Sequence, residues 1–228
     1  MDRRQVAGSS KIADSSRYFF CGHVHWAEVD GLIFVLDELA GQYFGLEAED
    51  GDLWPLVCAP SRVEDGDRLR RLRADVLQRG WVTRDETPAG SAGGRSTRPA
   101  RRPTPWQAWI ALVRAFWLLR RGGFTRVYAW AREVSQRAGS GGGYSLDQAL
   151  KQFVHAEAFV LSRLADRDCL PRSLALFVFL RRAGFAVRHH IGLQAMPFAA
   201  HAWVECGTVS LLEGRPLARD FTTLSRLD

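Results

Sequence analysis

Residues 168–176, DCLPRSLAL, place a cysteine between an acid and a long apolar run. Asp168 is a good N-cap and Pro171 is tolerated only in a first turn, so we expect a helix to begin at Cys169. Unpaired N–H groups and the macrodipole at a helix N-terminus lower the pKa of a thiol and can stabilise an oxyanion. This position suits a nucleophile, although free cysteines are also common core residues.

A nucleophilic cysteine needs a base, and the sequence offers six histidines: His23, His25, His155, His189, His190 and His201. His155 falls on a predicted helix and suits its surface. His189 and His190 are consecutive in a predicted strand, so their side chains face opposite ways. His201 begins the segment HAWVECGTVSLLE, which has the pattern of two strands joined near Gly207.

The acid that would orient His201 follows from the register of this hairpin. A three-residue loop, 206–208, places Glu213 opposite His201, whereas a two-residue loop shifts the register by one residue. A carboxylate on one ring nitrogen fixes the tautomer of the base. Cys169, His201 and Glu213 then have the types and order of a thiol hydrolase, with Asp220 as the alternative acid.

A metal site is a further possibility, because Cys21, His23 and His25 alternate along one predicted strand and share a face. Three such ligands can start a zinc site. A fourth ligand is not evident nearby, and alternating polar residues are ordinary on a half-exposed strand. We therefore expect no metal.

The two parts of the chain differ in net charge. Residues 1–87 carry 11 basic and 16 acidic side chains, a net −5, and residues 88–228 carry 20 and 9, a net +11. The arginines of the basic part are scattered through apolar segments without a stripe of exposed aromatics, so nucleic acid is not the expected partner.

The expected compartment is the cytoplasm. The four cysteines form no CxxC pair, and a chain of 228 residues does not need disulfides. The first ten residues, MDRRQVAGSS, lack the apolar core of a signal peptide. The apolar run near residue 110 ends at Arg114, short of the ~20 residues that a membrane span needs.

The sequence divides into two predicted domains, 1–87 and 105–228, joined by a flexible linker at 88–104 that is rich in Gly, Ser, Pro and Arg. Residues 23–46 predict three antiparallel strands with an Asp-Gly turn, followed by a short helix and a longer one ending at Gly80. After the linker, helices are predicted over 106–117, over 146–164 and from Cys169 to the arginines before Gly184. The fold class is α+β.

Residues 169–207, from CLPRSLAL to HAWVECG, resemble the transglutaminase-like cysteine peptidases of lasso-peptide biosynthesis over about 105–222. Residues 18–86, with FVLDELAGQYFGL, are similar to the PqqD-like element that binds leader peptides. The resemblance implies a small winged-helix-like domain linked to a transglutaminase/papain-like domain. It also implies Cys169 as nucleophile, His201 as base and Glu213 as third member, where the family usually has Asp.

The resemblance further implies a precursor peptide, cut between leader and core, and an asparagine-synthetase-like lasso cyclase as partner. Peptidase activity in the family has been linked to ATP. The sequence has no nucleotide motif, because GSGGGYS at 139–145 is not followed by Gly-Lys-Ser/Thr. We expect no cofactor here and assign ATP use to the cyclase.

The leader is expected to add as a strand to the edge of the small sheet. The expected edge is the third strand, beside the longer helix, and its leader-binding residues are Gln42, Tyr43, Phe44, Gly45, Leu46, Arg70, Arg73 and Leu77. The arginines, with Arg71, would steer an acidic leader. The alternatives are a sheet that only supports the catalytic domain, an acyl transferase on the same fold, and a non-catalytic peptide-delivery protein.

Overall fold

The computed structural model describes residues 18–59, 65–83, 100–139, 143–161, 169–213, 217 and 220–228. The strands are β1 (Phe19–Phe20), β2 (Val24–Val29), β3 (Leu32–Asp37), β4 (Gln42–Gly45), β5 (Val82–Thr83), β6 (Val187–Gln194), β7 (Ala199–Cys206), β8 (Val209–Ser210) and β9 (Thr222–Leu227). The helices are α1 (Ala48–Gly51), α2 (Asp67–Gln78), α3 (Pro105–Gln136), α4 (Leu146–Leu161) and α5 (Cys169–Arg182), with a 3-10 turn at Trp54–Leu56. The α/β content and antiparallel sheets agree with the expected class.

The three predicted N-terminal strands are confirmed as the antiparallel sheet β2-β3-β4, with β4 at one edge. Asp30 and Gly31 have φ values of 53° and 78°, the backbone that a tight two-residue hairpin turn requires. The short pairing of β1 with β5 was not predicted.

Strand β3 is buried on both faces, which explains its continuous apolar run LIFVLD. Ile33 and Val35 pack into a small core with α2 and the 3-10 turn. Phe34 and Leu36, on the other face, belong to a large core shared with α3 and α5. The sheet therefore packs directly on the C-terminal part of the chain, which the linker had argued against. Residues 88–99 of the predicted linker lie outside the described residues, and the domain boundaries stay predictions.

Glu38 secures this junction with polar contacts. Its buried carboxylate lies 2.5 Å from a guanidinium nitrogen of Arg132 and 2.6 Å from Nε2 of His25. The Thr125 hydroxyl donates to the Glu38 carbonyl at 2.9 Å. His25, a candidate metal ligand by its spacing, is thus engaged with Glu38.

The C-terminal part is a four-stranded antiparallel sheet, ordered β8-β7-β6-β9, with α5 packed on it and α3 packed on α5. Helix α3 is interrupted at Gly123, whose φ of 67° is not helical. The predicted helix at 106–117 is its first part, and residues 162–164 of the next one lie outside the described residues. Helix α5 ends as predicted at Gly184, with φ 89° and a bond from Phe185 N–H to the Leu180 carbonyl.

The predicted register of the β7–β8 hairpin is wrong by one residue. Cys206 pairs with Val209 and Glu205 with Ser210, so the loop has two residues, Gly207 and Thr208. The positive φ of Gly207, 64°, suits such a tight turn. His201 and Glu213 are therefore not opposite each other on a ladder.

In the described part of the chain, no helix is long and apolar enough to cross a bilayer.

Candidate active site

Cys169 is the first residue of α5, as predicted from Pro171 and the apolar run behind it. The expected N-cap, Asp168, lies outside the described residues. Most of α5 after its first turn is buried, so the sheet and α3 hold the helix in place. The thiol is half-buried at the end of a fixed element, which is the arrangement that a preorganised nucleophile needs.

The Cys169 sulfur lies at the outer edge of β7, where it is hydrogen-bonded to His201 and to the backbone N–H of Ala202. Strand β8 pairs with Glu205 and Cys206, and the next residue, Leu211, donates its N–H to the Val204 carbonyl. The edge of β7 at Ala202 lies beyond this pairing and is left for the thiol. The short β8 thus leaves room for the Cys169 thiol beside His201.

These contacts change both pKa values. Burial would raise the pKa of the Cys169 thiol, but the bonds from His201 and Ala202 and the charge of the imidazolium lower it below its ordinary value. The bond to Cys169 raises the pKa of His201, and its partial burial opposes this less strongly. Both shifts favour a thiolate–imidazolium pair.

Glu213 reaches His201 by a bend rather than by the ladder. Leu212 has a φ of 67°, which turns the chain back so that a Glu213 carboxylate oxygen lies 3.5 Å from His201 Nε2. Asp220, the alternative acid, is exposed, and the ring of its neighbour Phe221 packs on His201 with centroids 5.6 Å apart. The carboxylate that contacts the base is that of Glu213.

Arg172 is a site residue that the sequence analysis missed. It lies one helical turn after Cys169, with Nη1 3.8 Å from Glu213, and it bonds both carboxylate oxygens of Glu157 on α4. Its positive charge attracts the Glu213 carboxylate and helps to hold it near the histidine. The i, i+3 spacing from Cys169 was the only signal for it.

A series of buried hydrogen bonds connects the first turn of α5 to β6 and α3. The Ser173 hydroxyl donates to the Leu170 carbonyl at 3.1 Å and accepts from Nε2 of His189 at 2.9 Å. Nδ1 of His189 then accepts from the Tyr128 hydroxyl at 3.4 Å. His190 faces the opposite side of the sheet, as expected for consecutive strand residues, and stacks on Trp203.

The edge-strand residues fall on two faces of β4. Phe44 packs on Trp81 in the small core, with ring centroids 5.0 Å apart, and Leu46 packs against the same core. Tyr43 is on the other face and contacts Phe198 of the β6–β7 turn. Gln42 and Gly45 are exposed.

The helix residues expected at the leader site behave differently from one another. Arg70 is exposed and pairs with Asp67, and Leu77 is 40% exposed. Arg73 is buried, with its guanidinium bonded to the carbonyls of Leu56 and Ala59 and to Asp65. The expectation that Arg73 faces an incoming peptide is therefore corrected, because its i, i+4 position relative to Leu69 turns it inward.

The remaining sequence candidates lie apart from Cys169. His155 is exposed on α4, as predicted. Burial raises the pKa values of Cys21 and Cys58, which disfavours their thiolates. Among the described residues, no group of three or more His, Cys, Asp or Glu side chains is placed to hold a metal ion.

A family model described as the transglutaminase-like superfamily matches residues 106–226. The matched segment contains the cysteine, the histidine and the acid just described, and it excludes the β2-β3-β4 sheet. Searches of curated proteins and of solved structures give no significant match.

Proposed function

Because the chain belongs to the transglutaminase-like superfamily, whose fold serves cysteine peptidases and acyl transferases, we propose that it is a cysteine peptidase that removes leader peptides during lasso-peptide maturation. The observation that carries the proposal is the chain of contacts from Cys169 through His201 to Glu213 at the start of a buried helix. The sequence resemblance supports the choice of pathway.

In the proposed first step, the Cys169 thiolate attacks the carbonyl carbon of the peptide bond between leader and core. The negative charge moves to the carbonyl oxygen, where N–H groups at the beginning of α5 stabilise it. When the tetrahedral intermediate collapses, the C–N bond breaks and the His201 imidazolium gives its proton to the leaving amine. The leader remains attached to sulfur as a thioester, and the core peptide leaves with a free N-terminus.

In the second step, His201, now neutral, takes a proton from water as the water oxygen attacks the thioester. The C–S bond then breaks, and the thiolate–imidazolium pair is restored. Glu213, held between His201 and Arg172, keeps the ring oriented through both steps.

The N-terminal sheet supplies leader binding in this proposal. Among the described residues, no strand pairs with the outer edge of β4, and the outward N–H and C=O groups of Tyr43 and Gly45 can pair with an extended peptide. The released core would pass to the asparagine-synthetase-like cyclase, to which we assign the use of ATP. We propose no cofactor for this chain.

Incubation of the full chain with a lasso precursor peptide in H₂¹⁸O, read by mass spectrometry, tests the proposal. Hydrolysis yields two fragments whose summed mass exceeds the precursor by one labelled water. Transfer to an added amine without ¹⁸O uptake identifies an acyl transferase, and an unchanged precursor identifies a delivery protein. Either result overturns the proposal. Cys169→Ala should be inactive, whereas the matched Cys206→Ala variant should cleave normally.

A further inference from the structure

Two exposed aromatic side chains from different parts of the chain, Tyr43 and Phe198, contact each other. Tyr43 of β4 is 37% exposed and Phe198 of the β6–β7 turn is 55% exposed. Their ring centroids are 6.4 Å apart with planes at 70°, and Phe34 supports Phe198 from below at 5.8 Å. Exposed aromatic rings in contact, with a buried ring beneath them, form a preformed apolar surface.

The position of this surface relates it to the chemistry. Phe198 directly precedes β7, and His201 is the third residue of that strand. Tyr43 lies on the face of the N-terminal sheet that packs against the C-terminal part, opposite Leu36 in the ladder. Burial, and to a smaller extent the charge of the Cys169 thiolate, raise the pKa of Tyr43 to about 12, in agreement with the position of Phe198 next to β7.

We propose that Tyr43 and Phe198 form a specificity subsite of the catalytic cleft, which binds an apolar side chain of the substrate next to the bond that is cut. This inference rests on the proposed thiol chemistry at Cys169 and adds the class of residue that is selected there. The N-terminal sheet then has two roles. Its edge binds the backbone of the leader, and Tyr43 contacts a substrate side chain next to the bond that is cut. A small apolar group bound between the two rings loses water from both faces.

Two thiol-reactive probes test this inference without a precursor peptide. Iodoacetamide reports the reactivity of the thiolate alone, and N-benzyl-iodoacetamide carries an aromatic group that can enter the subsite. The rate of alkylation at Cys169 is read by mass spectrometry and divided by the rate with free cysteine. We expect the benzyl probe to be faster by about tenfold, the discrimination of a modest apolar pocket.

Tyr43→Ser and Phe198→Ser should each reduce this preference, the ratio of the benzyl-probe rate to the iodoacetamide rate in the same variant, to near unity; using the ratio corrects for any change in the reactivity of the thiolate. Tyr43→Phe should retain it, and Leu56→Ser, at an exposed apolar residue elsewhere, is the matched control. If Phe198→Ser does not fold, the result for Tyr43→Ser decides the test. A wild-type preference near unity, or one that survives the serine variants, overturns the inference and leaves the rings as packing between the sheet and the cleft. A strong preference with no cleavage of precursor peptides would instead refute the proposed function alone.

Discussion

The indole ring of Trp203 lies nearly parallel to the imidazole ring of His201, with centroids 6.3 Å apart and planes 11° apart. The indole Nε1 donates to Glu205 at 2.8 Å, which fixes the rotation of the ring. Gly192, opposite His201 on β6, leaves room for it, because a Cβ there would lie 2.7 Å from the indole and 2.9 Å from the Thr222 carbonyl. The orientation of His201 therefore depends on Trp203 and Gly192, which take no part in proton transfer.

Gly192→Ala should reduce the alkylation rate of Cys169 by iodoacetamide at neutral pH, because the displaced indole moves His201 away from the sulfur. Activity should fall by about 10- to 100-fold, the usual cost of losing a group that orients a catalytic one. Gly22→Ala is the control, since a Cβ at Gly22 meets no atom within 4 Å. Equal rates in the two variants would show that the stack does not position the base.

The pH dependence of thiol reactivity should identify Cys169 among the cysteines. Its pKa is lowered by His201, so its alkylation should already proceed below the ordinary thiol pKa, whereas Cys58, whose pKa is raised by burial, should react slowly at neutral pH. His201→Ala removes a hydrogen bond and a positive charge, so the pKa of Cys169 should rise. The measurement is the iodoacetamide rate at each cysteine against pH. A midpoint for Cys169 that is unchanged in His201→Ala would contradict the ion pair.

Glu213→Gln should lower the cleavage rate by about 10- to 100-fold, less than the loss in Cys169→Ala, because the base remains but its orientation and charge partner are weakened. Asp220→Asn should have little effect, since the Glu213 carboxylate contacts the ring. Rates of precursor cleavage by both variants, measured side by side, decide the assignment. A greater loss in Asp220→Asn would reassign the acid.

Much of this site follows from local sequence, because local sequence determines helix and strand ends. Pro171 and the apolar run behind it locate the start of α5 at Cys169, and the alternation of His189 and His190 gives their opposite faces. The proximity of His201 and Glu213 was expected from an incorrect register. It depends on the left-handed backbone of Leu212, which no residue type at that position announces.

Contacts between residues that are far apart in the sequence could not be predicted from the sequence. Arg73 and Arg70 are three residues apart on one helix, yet only Arg73 turns into the core, because the carbonyls of the 3-10 turn lie there. The linker composition predicts two domains, but it did not indicate that Phe34 and Leu36 of the N-terminal sheet pack into the large core with α3 and α5. The amino-acid composition of a linker indicates how flexible the linker is, but it does not indicate whether the two domains that it joins pack against each other.

The stability of the fold should fall on acidification because of His189. Burial, with a smaller contribution from His190, lowers its pKa to about 3, whereas the unfolded chain titrates near 6.5. Between these pH values the unfolded state binds more protons than the folded state. The contribution of neutral His189 to the free energy of unfolding is therefore fully present above about pH 6.5 and is lost towards pH 3, by up to ~1.4 kcal/mol per pH unit. Urea unfolding at pH 7 and pH 5 should show a smaller difference in His189→Gln than in wild type. The exposed His155→Gln should retain the wild-type difference, and an unaltered dependence in His189→Gln would refute this account.

Leader binding at the β4 edge should depend on one backbone N–H. The bond from Leu46 N–H to the Ile33 carbonyl sets the alternation of the ladder, so the N–H of Gly45 points away from β3 towards the open edge. Gly45→Pro removes this donor without breaking the β3–β4 ladder, and prolines are tolerated on edge strands. Gly45→Ala retains the N–H, and a Cβ there meets only the Phe34 ring, at 3.5 Å. In titrations of a labelled leader peptide into the full chain, Gly45→Ala should bind like wild type, whereas Gly45→Pro should bind about tenfold more weakly, the value of one main-chain hydrogen bond. Equal affinities for the two variants would move leader recognition from this edge to the catalytic cleft.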